Sequence, residues 1–450
     1  MKITGWGNYP VIESTSASPS GELRLREVMA AAASAIAYGL GRSYGDSALN
    51  PELTVCSSHM NMMLNFDESE QVLTAEAGVS LAEIVDVFLP RGYFVPVTPG
   101  TKFITLGGAI ASDVHGKNHH VAGTFARHVL WMDIWTPSAG VVRCSEDSNQ
   151  DLFYASCGGQ GLTGFIVRAA IRLERVPSAH ISQTTVKAKN LTEIMDIFDK
   201  YAELPYSVAW IDCLKSGQGL GRSVFMGGDF AAIDELPRKL GESPFSVESK
   251  MRLTVPFNFP SFVLNGLTTK TFNAFYYGKA PNGSSSSIVD YNTFFYPLDS
   301  IHNWNRIYGR RGFIQYQFVI PQSAAAEGLP KILRRIVEAG QGSFLAVLKL
   351  FGSQPEHWGN LSFPCRGYTL ALDFPVGHRL FPLLDELDRM VINYGGRHYL
   401  SKDARLSPEV FGESYGARPD EFKVIKKKWD PDNIFRSMQS DRLHLTTSRG

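Results

Sequence analysis

Two periods of apolar and polar positions alternate along the chain, and each change of period marks an element. Residues 21–35 carry Leu23, Val28 and a run of alanines with no internal Pro or Gly, which predicts a helix; a short apolar strand follows at 35–38. Residues 72–77 alternate as a strand. Ser80 and Glu83 then form a capping box ahead of Leu81, Ile84, Val85, Phe88 and Leu89, spaced along one helical face. Residues 129–135 and 140–143 read as a hairpin, and 152–157 lead towards a strand ending at Leu173. Past Pro177 the run SAHISQTTV begins another pattern, and a domain boundary is expected there.

In the second region 191–203 reads as a helix and 206–212 as a strand. Residues 312–321 alternate so that Gln315 and Gln317 share one face. Paired amides on one face are commonly solvent-exposed, yet in a strand this apolar a polar pocket wall is an equal expectation. Further strands at 345–351 and 368–374 follow, with Lys349 standing among aliphatics, where a lone lysine is costly unless paired or catalytic. Residues 257–287, dense in aromatics, Asn and Gly and ending in the serine run 284–287, read as a mobile loop of the kind that forms lids. Lys402 beside Asp403 and Arg405 reads as a salt-bridged network that can also serve a site, and Lys426–Lys428 as a solvated helix face, with anionic-lipid contact as the weaker reading.

Three glycine-rich segments interrupt this pattern. The first, GLGRSYGD at 39–46, contains a GxG but is followed by a turn and a strand rather than a helix, which disfavours a dinucleotide-binding Rossmann unit and leaves a phosphate-binding nest open. The second, TPGTKFITLGGAIASDVHGKNHH at 98–120, runs small residues directly into a cluster of Asp113, His115, Lys117, Asn118, His119 and His120. Glycines alone suggest tight packing. Glycines running into titratable groups suggest a cofactor or active site. The third is GGQGLTGFIV at 158–167.

Bulk properties then exclude several classes. The 450 residues allow two or three domains, and 44% apolar with 20% charged residues describe an ordinary globular protein. Forty-four basic residues balance forty-four acidic ones, so no overall field favours nucleic acid. Five scattered cysteines without CxxC read as reduced thiols. No apolar run approaches the ~20 residues of a membrane span, and the N-terminus lacks secretory-signal features, so a cytoplasmic or peripheral inner-membrane protein is expected. His115 and His119 lack the glutamate of HExxH, and neither GxSxG nor GxxxxGK[ST] occurs. No metal site is expected.

GWGNYP, GLGRSYGD, the 98–120 stretch with HGKNHH, GGQGLTG, YQFVIP, LKLFG and HYLSKDAR together resemble the decaprenylphosphoryl-β-D-ribose oxidase family of vanillyl-alcohol-oxidase-type flavoenzymes. The resemblance implies an α+β fold: a two-lobed FAD domain from 1–177 completed by 397–450, and an antiparallel-sheet substrate domain over 178–396. It implies non-covalent FAD and oxidation of the ribose C2 hydroxyl of a polyprenyl-phosphoryl sugar to a ketone, a step in cell-envelope polysaccharide precursor synthesis. It further implies a short-chain reductase partner that completes the epimerisation, peripheral membrane contact and no nucleic-acid partner.

Residue by residue, the resemblance assigns FAD binding to Gly41, Arg42, Ser43, Tyr44, Gly45 and Asp46 of the first segment. In the second it assigns Gly100, Thr101, Thr105, Gly107, Gly108, Ala111, Ser112, His115, Gly116, Lys117, Asn118 and His119. Gly159, Gly161, Leu162 and Gly164 of the third segment, and Tyr399, complete the set. Lys402, His115 and Lys349 are the implied catalytic groups, and Trp210, Gln315, Gln317 and Lys349 the implied sugar contacts. In YTLALDF, Ala371 stands where mycobacterial members carry Cys and Thr369 where they carry Asn, and Cys365 does not fill the Cys position. Two alternatives remain open: a sugar or aldonolactone oxidase of the same fold with a soluble substrate, and a non-catalytic glycolipid-binding protein.

Overall fold

The computed structural model describes residues 1–247, 253–260, 266–343, 345–355 and 358–446. The N-terminal part builds a parallel three-stranded sheet from Thr15–Ala17, Leu53–Cys56 and Ile36–Tyr38, and an antiparallel five-stranded sheet from 63–67, 72–76, 129–136, 140–145 and 165–172. Helix α1 (Leu81–Phe88) follows its strand through the expected capping box: Ser80 Oγ accepts from the Glu83 N–H at 3.1 Å, and the Glu83 carboxylate accepts from the Ser80 N–H at 2.8 Å. Its apolar face, Leu81, Ile84, Val85 and Phe88, is buried in the largest core of the chain.

Helix α2 (Leu106–Ala111) comes from the second glycine-rich segment. Thr105 caps it, its Oγ1 accepting from the Gly108 N–H, and the same oxygen lies 2.5 Å from where a Cβ on Gly39 would stand. The first loop therefore closes against the start of α2, and only glycine at position 39 permits that approach.

Residues 180–398 supply an eight-stranded sheet in the order 284–290, 180–188, 223–230, 206–211, 346–351, 367–375, 313–321 and 397–398. Four of its strands bear on the site: β1 (Tyr206–Ile211), β2 (Phe313–Pro321), β3 (Ala346–Phe351) and β4 (Gly367–Pro375). One face packs Ile314, Tyr316, Phe318, Leu348, Leu370 and Leu372 against the amphipathic helices 191–200, 322–338 and 380–393. Alternation sends the other residues of each strand to the opposite face.

Three expectations are corrected here. The 257–287 stretch is not an irregular loop: it contains helix α3 (Gly266–Lys279), and the serine run belongs to the edge strand Ser284–Asp290, paired with 180–186. Serines on an edge strand keep their hydroxyls in water while the backbone satisfies itself, so polarity there did not signal irregularity. Phe262, which lies in the stretch singled out as aromatic, falls outside the described residues. Lys426 is buried rather than solvated, its ammonium donating to Leu162 O, Asp430 Oδ2 and Phe435 O. Lys402 joins no salt bridge among the described residues; Asp403 pairs with Arg442, and Arg405 with Asp385 and Asp388. The two amides of β2 are both buried. Among the described residues no helix is long and apolar enough to cross a membrane.

Candidate active site

A cleft of ≈ 340 Å³ opens between the glycine-rich segments and the free face of the eight-stranded sheet. Residues 39–44, Gly100, Thr101, Thr105, Ser112 and 115–117 line one side, and Val208, Trp210, Gln315, Gln317, Val347, Lys349 and Ala371 the other. A second cavity of ≈ 80 Å³ shares Ser43, Thr105, Gly108 and Ser112 with it and continues past Gly107, Ala111, Gly161 and Gly164. All three glycine-rich segments thus converge on one continuous space.

Strand register explains the sheet wall. Gln317 of β2 stands opposite Ala371 of β4, which pairs with Val347 of β3, which pairs with Trp210 of β1. One row on, Thr369 pairs with Lys349; one row back, Gln315 pairs with Asp373. Amides and lysine therefore face the cleft because they occupy the alternate positions, while Tyr316, Phe318, Leu348 and Leu370 occupy the core positions.

Each polar group of the wall is held. Gln315 Nε2 donates to Asp373 Oδ1 at 2.7 Å, and Tyr308 donates its hydroxyl to the other carboxylate oxygen at 3.3 Å. Burial raises the Asp373 carboxyl to about 7. Gln317 Nε2 donates to His115 Nε2 at 3.0 Å and to Thr369 Oγ1 at 3.2 Å. Burial, reinforced by Lys349, His119 and Lys402, pushes the His115 imidazole well below its usual range, so the ring is uncharged and serves as an acceptor. Lys402 lies with Nζ 3.8 Å from the centre of the Tyr44 ring, and Tyr399 donates its hydroxyl to Ser112 O at 2.8 Å. Burial lowers Lys402 to about 7 against the opposing pull of Asp373; Lys349 falls to about 8 and Lys117 to about 7 for the same reason.

Six assigned residues face elsewhere. Gly45 has no room for a side chain because a Cβ would stand 1.8 Å from Asp403 O, and the Asp46 carboxylate is taken by Arg442 at 2.7 Å. Asn118 donates to Pro96 O, and His119 accepts the Gly352 N–H through Nδ1, its imidazole pushed down to about 3 mainly by burial. Gly159 packs against Ala155 O, and Leu162 belongs to a core cluster. These residues hold the loops rather than line the cleft. The titratable cluster at 113–120 divides the same way: Asp113 is buried against Ser362, Trp358 and the Ala126 N–H, while His115 and Lys117 enter the cleft.

Sequence reasoning missed Trp6, Asp299 and Asp373. Trp6 lies under the Arg42 guanidinium, 3.9 Å from the ring centre, and Asp299 accepts the Lys102 N–H and partly offsets the burial that lowers the pKa of Arg42. Trp6 sits between two glycines of GWGNYP, the only local hint; Asp299 and Asp373 stand in stretches with no motif at all.

The cleft fits FAD on its own evidence. Glycine backbone lines one side, the Arg42 Nε is buried without a protein partner, and the wall opposite carries donors for a small polar substrate. Such a pairing of glycine cradle and sheet wall is what a FAD-dependent oxidoreductase of the vanillyl-alcohol-oxidase type requires, and residues 17–145 match the FAD binding domain family. The chain is 37% identical over 453 residues to the decaprenylphosphoryl-β-D-ribose oxidase of Mycolicibacterium smegmatis, covering 99% of this chain and 97% of that one, and it belongs to that family. An uncharacterised protein of Streptomyces coelicolor is 31% identical over 82% of this chain and all of its own length. The L-gulonolactone oxidase of Bos taurus is 27% identical over 45% of this chain. The protein is a flavin oxidoreductase acting on CH–OH groups.

Residues 39–46 contain no His or Cys, so that loop offers FAD neither an imidazole nor a thiol for covalent attachment. Acid precipitation is expected to leave the yellow colour in the supernatant; colour retained in the pellet refutes this.

Proposed function

We propose that this protein oxidises the ribose C2 hydroxyl of a polyprenyl-phosphoryl ribose to a ketone. The sheet wall carries the reading: two amides, one held by Asp373 and one by His115, face Lys402 across a cleft whose floor is glycine backbone. Bound FAD supplies the two-electron acceptor that no side chain offers. The residues do the rest. Gln315 and Gln317 spend their amide N–H groups on Asp373, His115 and Thr369, which fixes both amides for sugar hydroxyls. Lys402, lowered to about 7, is substantially uncharged at neutral pH and can take the hydroxyl proton onto Nζ. It then stands as an ammonium beside the developing negative charge. A separate reductase is needed to convert the ketone to the epimeric alcohol.

The lipid tail stays in the bilayer, because each buried CH₂ contributes about 0.8 kcal/mol. Helix α3 is suited to meet it there: Leu267 is 75% exposed and Phe275 70%, while Tyr276 lines the cleft and packs against Trp210 with ring centres 4.7 Å apart and planes tilted by 51°. Anaerobic bleaching of the bound flavin is the test. Lipid-linked ribose in vesicles should bleach it, and free ribose or an aldonolactone should not; bleaching by the lactone at an equal rate overturns the reading in favour of a soluble substrate. Phe275→Ser should slow bleaching by vesicle-held substrate roughly 10-fold, the worth of one apolar side chain, without loss of FAD.

A further inference from the structure

Among the described residues four cationic side chains line the cleft, Arg42, Lys117, Lys349 and Lys402, against one carboxylate, Asp299. Neither Arg42 nor Lys402 forms a salt bridge among the described residues, but each feels a carboxylate, Arg42 that of Asp299 and Lys402 that of Asp373 behind Gln315, which partly offsets the burial that lowers it. Lys349 forms no hydrogen bond or ion pair among the described residues, and Lys117 gives its ammonium to a backbone carbonyl, Phe294 O, and to the Phe294 ring 4.3 Å away. Two buried ammonium groups without a carboxylate are a cost that a neutral sugar does not offset.

They are also held near one another. The Ser207 N–H donates to Lys117 O at 2.9 Å, which ties Lys117 to β1. The register that pairs Ala209 with Leu348 and Trp210 with Val347 sets Val208, the next residue, beside Lys349. Both lysines thus converge on one end of the wall, the end away from Gln315 and Asp373. We infer that Lys117 and Lys349 form an anion subsite that takes the phosphodiester group of the substrate, leaving the sugar to Gln315, Gln317 and Lys402. This rests on the reading of the substrate given above. A phosphodiester carries one negative charge and accepts hydrogen bonds on two free oxygens, which suits a pair of compact ammonium donors. Each lysine is held below its ordinary value by burial, and Lys117 is further depressed by the charge of Lys349. An arriving anion reverses that, so binding should draw protons from solution at pH 8.

The test uses the FAD-loaded enzyme and two substrates with the same lipid: the prenyl-phosphoryl riboside and the prenyl riboside without phosphate. Wild type should favour the phosphodiester by at least about 30-fold in kcat/KM, the range of one to two charge-assisted hydrogen bonds. Lys349→Met should lose at least about 10-fold more on the phosphodiester than on the phosphate-free riboside, with Lys117→Met in the same direction. Thermal unfolding checks folding: removing an unpaired buried cation should leave Tm equal or higher. Equal losses on both substrates would overturn the inference and return Lys349 to the sugar. A binding arm separates this from the substrate reading. Dodecyl phosphate should bind wild type at least 10-fold more tightly than dodecanol, and Lys349→Met should erase the difference. If wild type shows no such preference, the subsite does not exist whatever the substrate. If it does bind dodecyl phosphate but oxidises neither riboside, the substrate reading fails and the anion subsite stands.

Discussion

Lys402→Ala is expected to retain FAD and to lose roughly 100-fold or more in the rate of flavin reduction by substrate. The loss corresponds to about 3 kcal/mol, the usual worth of one well-placed charged group in a water-poor site. The lysine is suited to that part because no ion pair of the fold uses it: its Nζ lies over Tyr44, it joins no salt bridge among the described residues, and its charged neighbours in sequence pair elsewhere, Asp403 with Arg442 and Arg405 with Asp388. The pH profile gives a second, independent reading. A lysine lowered to about 7 by burial is increasingly uncharged above that pH, so turnover should rise with pH through about 7 and then level. The alanine variant should lack this limb. A limb that persists belongs to another group, with Asp373, raised to about 7, the first to examine. A variant reduced as fast as wild type refutes the role of Lys402 altogether.

Arg442→Met should lower stability by about 3 kcal/mol and release FAD during gel filtration, even though the residue lies outside the cleft. Arg442 joins two buried carboxylates, Asp46 of the first glycine loop at 2.7 Å and Asp403 next to Lys402 at 2.9 Å. Its side chain retains 24% exposure, which places the loss at the low end for a broken buried pair. Burial opposes the charge of Asp403, but Arg442 and the N–H groups of Arg405 and Leu406 outweigh it and hold the carboxyl at about 2; Asp46, raised by burial and by Asp403, sits near 6. A depressed carboxyl contributes stability that is present above its unfolded value near 4 and lost as pH falls towards 2. In the variant both carboxyls lose their cation and rise, so protonation relieves their repulsion. The Tm difference from wild type should therefore be larger at pH 8 than at pH 5. Equal differences at both pH values would mean that Arg442 acts through packing alone.

The two predictions share a cause. The glycine loop does not hold its shape alone: Gly45 lies against Asp403 and the Tyr44 N–H donates to Ser401 O, so the segment bearing Lys402 and the loop facing the cofactor are one packed unit. The C-terminal helix clamps that unit from behind. Residues roughly 360 positions apart along the chain are made to act together, and no local pattern in either segment announces it.

Local chemistry was legible wherever a period or a cap sufficed. The capping box at Ser80 and Glu83, the hairpin of 129–136 with 140–145, and the shared face of Gln315 and Gln317 follow from the geometry of helix and strand, which neighbours in sequence decide. The glycine-rich segments likewise pointed to a cofactor because backbone that approaches a ligand closely must lack Cβ atoms, and that requirement is written residue by residue. What stayed hidden depends on partners distant in sequence. The serine run 284–287 looked irregular because its order comes from pairing with 180–186, about a hundred residues earlier. Lys426 looked like its neighbours Lys427 and Lys428, and only the approach of Leu162 O and Phe435 O makes it a buried anchor. Asp373 and Asp299 carried no motif because their importance is positional: one stands behind an amide from another strand, the other near an arginine more than 250 residues away. The sequence by itself thus determined the flavin cradle and the amide-bearing strand, since both are properties of consecutive residues. The tertiary structure alone decided which members of the 113–120 cluster enter the cleft, which lysines lack a counter-charge and what clamps the loop, because burial and charge pairing are set by whatever the fold brings within a few ångströms.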